Sequence, residues 1–112
     1  MPPKVSVDQI AALITKPFTL AILGRVDDYD AYLSRFEGKH AYHKHPQDEL
    51  YLVLEGEVYI DYADGRSVLL REKDVLVARA YEVHRSRSEK GALVLMFKAR
   101  DLPWEAAEGP DL

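Results

Sequence analysis

Residues 43–49 read His43-Lys44-His45-Pro46-Gln47-Asp48-Glu49, and a solitary His84 follows further along the chain. Two histidines at i and i+2 point the same way on a β-strand, where side chains alternate faces, and to different sides on a helix. The segment therefore reads as strand, with two imidazoles able to share one ion. Glu49 has the same parity, yet six residues of extended strand span about 20 Å. A single ion holds nitrogen and oxygen donors at roughly 2.0–2.2 Å. The chain must turn across Pro46 to Asp48, residues suited to a turn, and bring Glu49 back on a neighbouring strand.

The chain has 112 residues, enough for one domain with its own core. A hydrophobic fraction of 47% and a charged fraction of 30% are those of a soluble globular protein. There is no cysteine, so a metal has to be held by imidazole and carboxylate, which makes the four histidines the scarce resource. A net charge of −4 argues against a phosphate-backbone binder, so no nucleic-acid partner is expected. Met1 to Val7 lacks the features of a secretory signal, and no apolar run approaches the roughly eighteen residues of a membrane span. No membrane association is expected, and a cytoplasmic location follows by default.

Ser6-Val7-Asp8-Gln9 reads as a capping box ahead of Ile10, Leu13 and Ile14 at helical spacing, predicting a short helix at about 7–15. Beyond Lys16 and Pro17 the pattern turns to period two. Strands are predicted at 18–26, 29–37, 40–45, 50–55, 58–62, 67–70, 75–78, 83–88 and 92–99. Asp64-Gly65 marks a tight hairpin that pairs 58–62 with 67–70. The expected domain runs over 1–102, and 103–112, rich in Pro, Gly and acidic residues, is expected to be a flexible tail of which only Trp104 packs against the body. Many short strands and one helix make this an all-β sandwich or closed barrel.

Leu50 to Leu54 is apolar on both faces of its strand, so neither face sees much water. With Glu49, Tyr51 and Val53 pointing inward, Leu50, Leu52 and Leu54 need an outside cover, and a symmetric homodimer is the expected one. Phe36, Tyr51, Val53, Val77 and Met96 are expected to form a largely apolar pocket wall, suited to a small organic ligand of aromatic or enolic character. His40 has the parity of neither His43 nor His45 and is expected to stay off the ion.

These residues resemble the cupin superfamily, small β-barrels marked by two short motifs. The first is similar here to Gly38, four residues, His43-Lys44-His45, three residues, Glu49, six residues and Gly56. The other motif resembles Lys73 to His84, with Lys73 and Tyr81 standing where the family usually has glycine and Arg79 where it has proline. The resemblance implies a cupin-type jelly-roll β-barrel holding one divalent metal ion, Zn, Mn, Fe, Ni or Cu, through His43, His45, Glu49 and His84. An open coordination position would take a small organic molecule. The family includes dioxygenases, isomerases and proteins that only bind, so two readings follow: a metal-dependent dioxygenase or isomerase, or a non-catalytic binding or sensing cupin.

Overall fold

The computed structural model of the chain describes residues 4–101 and 103–111. Residues 1–3, 102 and 112 lie outside these, and with them part of the N-terminal stretch read for a signal and the residue at which the domain is expected to end. Helix α1 (Val7–Leu13) opens on Ser6, whose side chain accepts from the Gln9 amide as the capping pattern requires. It stops two residues short of the expected end because Ile14 is already extended and Pro17 disfavours helix in the residue before it.

Nine strands follow among the described residues: β1 (Ala21–Val26), β2 (Tyr29–Lys39), β3 (His43–Lys44), β4 (Glu49–Gly56), β5 (Val58–Tyr62), β6 (Ser67–Leu70), β7 (Val75–Ala78), β8 (His84–Ala99) and β9 (Glu105–Ala106). All pairings are antiparallel, and β8 is the shared strand. Along one edge it pairs with β2; along the other, its first residues meet β5 and its later ones β4. The 58–62 with 67–70 hairpin forms in the register the Asp-Gly turn implies. Among the described residues the strand ladder does not close into a complete ring, and the fold is an antiparallel β-barrel left open.

Two strands expected at 83–88 and 92–99 are one. Glu89-Lys90-Gly91 has the composition of a turn, but β2 continues opposite it and absorbs the extra residues as a bulge, with Phe36 facing Ala92 and Gly38 facing Ser88. The predicted third strand shrinks to two residues, and Glu49 returns not beside β3 but on β4, which is tied to β7 and β8.

The interior holds Phe36, Tyr51, Val53, Val58, Ile60, Tyr62, Leu70, Val94 and Met96 in one apolar cluster. A side chain such as Ile60 or Val53, fully buried, contributes about 1.5–3 kcal/mol through the area it removes from water. Outside the barrel, Ala11, Ile14, Leu33 and Leu93 form a second cluster against which Leu54 packs, so α1 supplies part of the cover that Leu50 to Leu54 requires. Leu50 and Leu52 remain half-buried.

The C-terminal segment is not a free tail. Glu105 and Ala106 pair with Lys44 and His43, and the Tyr42 hydroxyl donates to the Pro110 carbonyl at 2.6 Å. Composition misses this because what holds the segment is the free edge of β3, a long-range partner with no local signature. Elsewhere on the barrel, Asp61 is fully buried and accepts from Ser67 Oγ, Arg85 Nε and Arg87 Nε at 2.7–2.9 Å, clamping β5, β6 and β8 beside His84.

Lys73 and Tyr81 carry φ of 72° and 65°, the left-handed backbone that glycine adopts freely, at the motif positions where glycine is usual. Lys73→Gly is expected to raise stability by up to ~1 kcal/mol, read as a shift in urea midpoint at constant slope. At Gly56, with φ of 82°, an added Cβ would lie 2.5 Å from the Gly91 carbonyl oxygen. Gly56→Val is expected to cost more than ~2 kcal/mol while metal uptake per folded molecule stays normal. Equal stability of this variant and the parent would contradict the geometry.

Candidate metal centre

His43 comes from β3, His45 from the bend that follows, Glu49 from the first position of β4 and His84 from the first position of β8. All four are buried, and one donor atom from each lies within 4.8 Å of the others. Ring centroids are 5.5 Å apart for His43 and His45, 5.3 Å for His45 and His84 and 4.6 Å for His43 and His84.

Each ring is oriented by a backbone carbonyl. Nδ1 of His43 is 2.9 Å from the Ala41 oxygen, Nδ1 of His45 is 2.9 Å from that of Gln47, and Nδ1 of His84 is 2.7 Å from that of Glu82. A carbonyl only accepts, so each Nδ1 carries a proton and Nε2 is the nitrogen that each ring can offer to an ion. Nε2 of His45 and Nε2 of His84 then face Glu49 Oε1 at 3.3 and 3.7 Å. Acceptors facing an acceptor in a buried site repel unless a proton or a metal cation lies among them. This donor set therefore fits a divalent ion, with His43, His45 and His84 offering nitrogen and Glu49 offering oxygen.

The surroundings tune the same groups. Burial pushes the His43 imidazole down to about 4, so it is neutral and ready to donate at neutral pH. Burial also lowers His45, but the Glu49 carboxylate outweighs this and raises it. Burial alone would raise Glu49; His45, His84, the Lys98 charge and the Tyr51 hydroxyl hold it well below the usual carboxylate range instead. The Tyr51 hydroxyl, itself raised well above its ordinary value by burial, donates to Glu49 Oε1, while Lys98 Nζ lies 3.5 Å from Oε2.

The Cupin_2 family, cupin domain, matches residues 35–97. The chain belongs to the cupin family. It is 40% identical over 67 residues to the uncharacterized protein YdbB of Bacillus subtilis (strain 168), a match spanning 59% of this chain and 59% of that relative's length. A cupin-2 domain containing protein from Shewanella frigidimarina superposes with a TM-score of 0.82 at 20% identity, over 86% of this chain and 94% of its own. The hydroquinone 1,2-dioxygenase PnpCD, solved in complex with Cd2+ and 4-hydroxybenzonitrile, superposes with a TM-score of 0.72 at 19% identity, over 80% of this chain and 69% of its own. At such identities the two structures share the fold.

An open cavity of about 180 Å³ leads to the cluster in this cupin. Of the residues expected to wall it, Phe36, Tyr51 and Met96 do. Val53 is fully buried in the core beneath. Val77 pairs with Leu50, whereas Leu76 pairs with Tyr51 and Ala78 with Glu49; one step of parity thus turns Val77 to the outer face. Phe18, His40, Lys98 and Trp104 also line the cavity, beyond the walls that the sequence pattern predicts. His40 stays outside the four-donor group, as its parity implies, and its Nδ1 is 3.1 Å from the Ala41 oxygen. Trp104 stacks on His43 at 5.5 Å and 20°, held there by the β3–β9 pairing that the sequence does not announce. Lys98 is legible in principle, being two residues past Met96 on the same strand face.

His45→Ala is expected to lower metal affinity at least tenfold by calorimetric titration, and His40→Ala to leave it within about threefold. Equal losses would contradict the donor geometry. Because the folded His43 refuses a proton that the unfolded chain accepts below its ordinary value near 6.5, metal-free protein loses stability as pH falls from 6.5 towards 4. His45, raised in the folded state, acts oppositely: its contribution is complete at acid pH and fades as pH rises through its folded value. His43→Asn is therefore expected to flatten the acid limb by ~1–3 kcal/mol in chelator-treated melts between pH 7 and 4.5. An unchanged limb would remove the burial argument.

Proposed function

We propose that this cupin is a metal-dependent enzyme that takes a small organic substrate at one divalent ion held by His43, His45, Glu49 and His84, of the dioxygenase or isomerase kind. The observation that carries the reading is the open cavity lined by His43, His45 and Glu49, which converge with the buried His84 in one donor group whose three imidazoles are each oriented by a carbonyl. Four protein donors leave one or two positions of an octahedral ion for water or substrate. A bound ion supplies Lewis acidity, and a redox-active one also electrons to dioxygen.

The chain's own residues supply the rest. Phe18, Phe36 and Trp104 line the approach and offer flat apolar surface to a ring or enol. Tyr51 fixes Glu49 Oε1 by its hydrogen bond. His40 donates its Nδ1–H to the Ala41 carbonyl, and burial lowers its affinity for a second proton. It is thus a neutral imidazole on the cavity wall, suited to take a proton from substrate. That base favours turnover over the alternative reading, a cupin that binds or senses a small molecule without changing it.

A symmetric homodimer through the outer face of β4 and β7 belongs to the same proposal. Leu52 and Val75 pair on that face, Val75 is 54% exposed, and α1 covers only its far end at Leu54. No helix among the described residues is long and apolar enough to cross a membrane.

Two measurements test this. Protein loaded in turn with each candidate ion is screened for oxygen uptake with catechols, hydroquinones and diketones, and for isomerisation of enolisable ketones. Turnover that is abolished in His45→Ala and reduced at least tenfold in His40→Ala, with metal retained in the latter, is expected; no turnover with any loaded ion shifts the reading to binding alone. Light scattering at micromolar concentration is expected to give twice the chain mass of 12.8 kDa, and a strict monomer would remove the dimer.

A further inference from the structure

Among the described residues that line the cavity, Lys98 is the one lysine or arginine, and no role for it follows from the cupin motifs. Its Nζ lies 3.5 Å from Glu49 Oε2 and 5.5 Å from the centroid of the Tyr32 ring, with its side chain about one-fifth exposed. Asp30 on the adjoining strand is its cross-strand neighbour but is engaged by Arg25, Arg100 and Tyr32. Glu49 is therefore the anion that Lys98 meets, and Glu49 already directs Oε1 towards His45 and His84. With a divalent ion in place, three neutral imidazoles bring no charge. One carboxylate then faces both the ion and an ammonium, and the centre keeps surplus positive charge in a largely buried setting. Buried charge left uncompensated is costly, so an anionic occupant is favoured.

The walls restrict its shape. Phe18 and Phe36 lie 5.1 Å apart, Phe36 meets Tyr51 edge-on at 6.1 Å, and Trp104 is laid flat over His43. The cavity of about 180 Å³ is close to the roughly 150 Å³ that admits a benzene ring.

We infer that Lys98 is a specificity-determining residue that selects a planar, single-ring anion, a carboxylate or a phenolate, by pairing with its charge beside the metal. This rests on the metal reading above. It assigns Lys98 to the ligand as well as to Glu49, since an ammonium has three donors and its contact with Glu49 Oε2 is an ion pair at 3.5 Å that leaves them available.

The test uses the full-length protein loaded with cobalt(II), whose visible spectrum reports ligands entering the centre, and an isosteric pair of probes, benzoate and benzamide. The metal alone favours the anion, so the deciding quantity is the change in the affinity ratio on substitution. In the parent, benzoate is expected to bind at least thirtyfold more tightly than benzamide, about 2 kcal/mol. Lys98→Met and Lys98→Gln are expected to cut that ratio at least tenfold through weaker benzoate binding alone, and Lys98→Arg to restore most of it. Two neutral variants are used so that misfolding of one does not decide the matter. Cobalt uptake is measured separately for every protein. Uptake at one ion per chain with an unchanged ratio in both neutral variants overturns the role of Lys98 while leaving the metal centre standing. Failure of the parent to take up cobalt overturns both.

Discussion

Three hydrogen bonds from imidazole Nδ1 to backbone carbonyls are the constraint on which the centre depends. They fix the ring orientations of His43, His45 and His84 and leave Nε2 of each free of the backbone, with those of His45 and His84 at 3.3 and 3.7 Å from a carboxylate oxygen. The carbonyls belong to Ala41, Gln47 and Glu82, each two residues from the histidine it serves, so each ring is oriented by the local bend of its own segment. The barrel then needs only to bring three short segments together, which the β3–β8 pairing of His43 with His84 and the placement of Glu49 opposite Ala78 achieve.

Electrostatics around the centre is built in layers. Burial keeps His43 neutral, Tyr51 and Lys98 keep Glu49 anionic, and the two act on different oxygens of the same carboxylate. One oxygen is held towards the histidines and the other towards Lys98. The second charged cluster, Asp61 with Arg85 and Arg87, acts mechanically, since it clamps the strand that begins with His84. Breaking such a buried pair typically costs ~3–5 kcal/mol.

Much of this is legible in the residues themselves. Period-two patterning marks the strands from Ala21 to Ala78, because a half-buried strand must alternate. The parity of His43 and His45 with the turn at Pro46 announces the donor cluster, because a metal tolerates so little variation in distance. What escapes reading depends on partners distant in sequence. Gly91 has the look of a turn and lies within one continuous strand, because β2 runs on opposite it. The Glu105–Ala106 strand and the Trp104 lid over His43 exist because β3 has a free edge, which composition cannot show. Assigning Val77 and Val53 to the wall assumes one uniform face. The register at Leu50 turns the first outward, and the depth of the barrel places the second below the cavity.

The most direct measurement is X-ray absorption on protein loaded with one equivalent of zinc or cobalt. The account predicts a shell of only nitrogen and oxygen at roughly 2.0–2.2 Å, with the outer-shell scattering of about three imidazoles and loss of about one of them in His84→Ala. A shell of oxygen alone, without imidazole scattering, would contradict it.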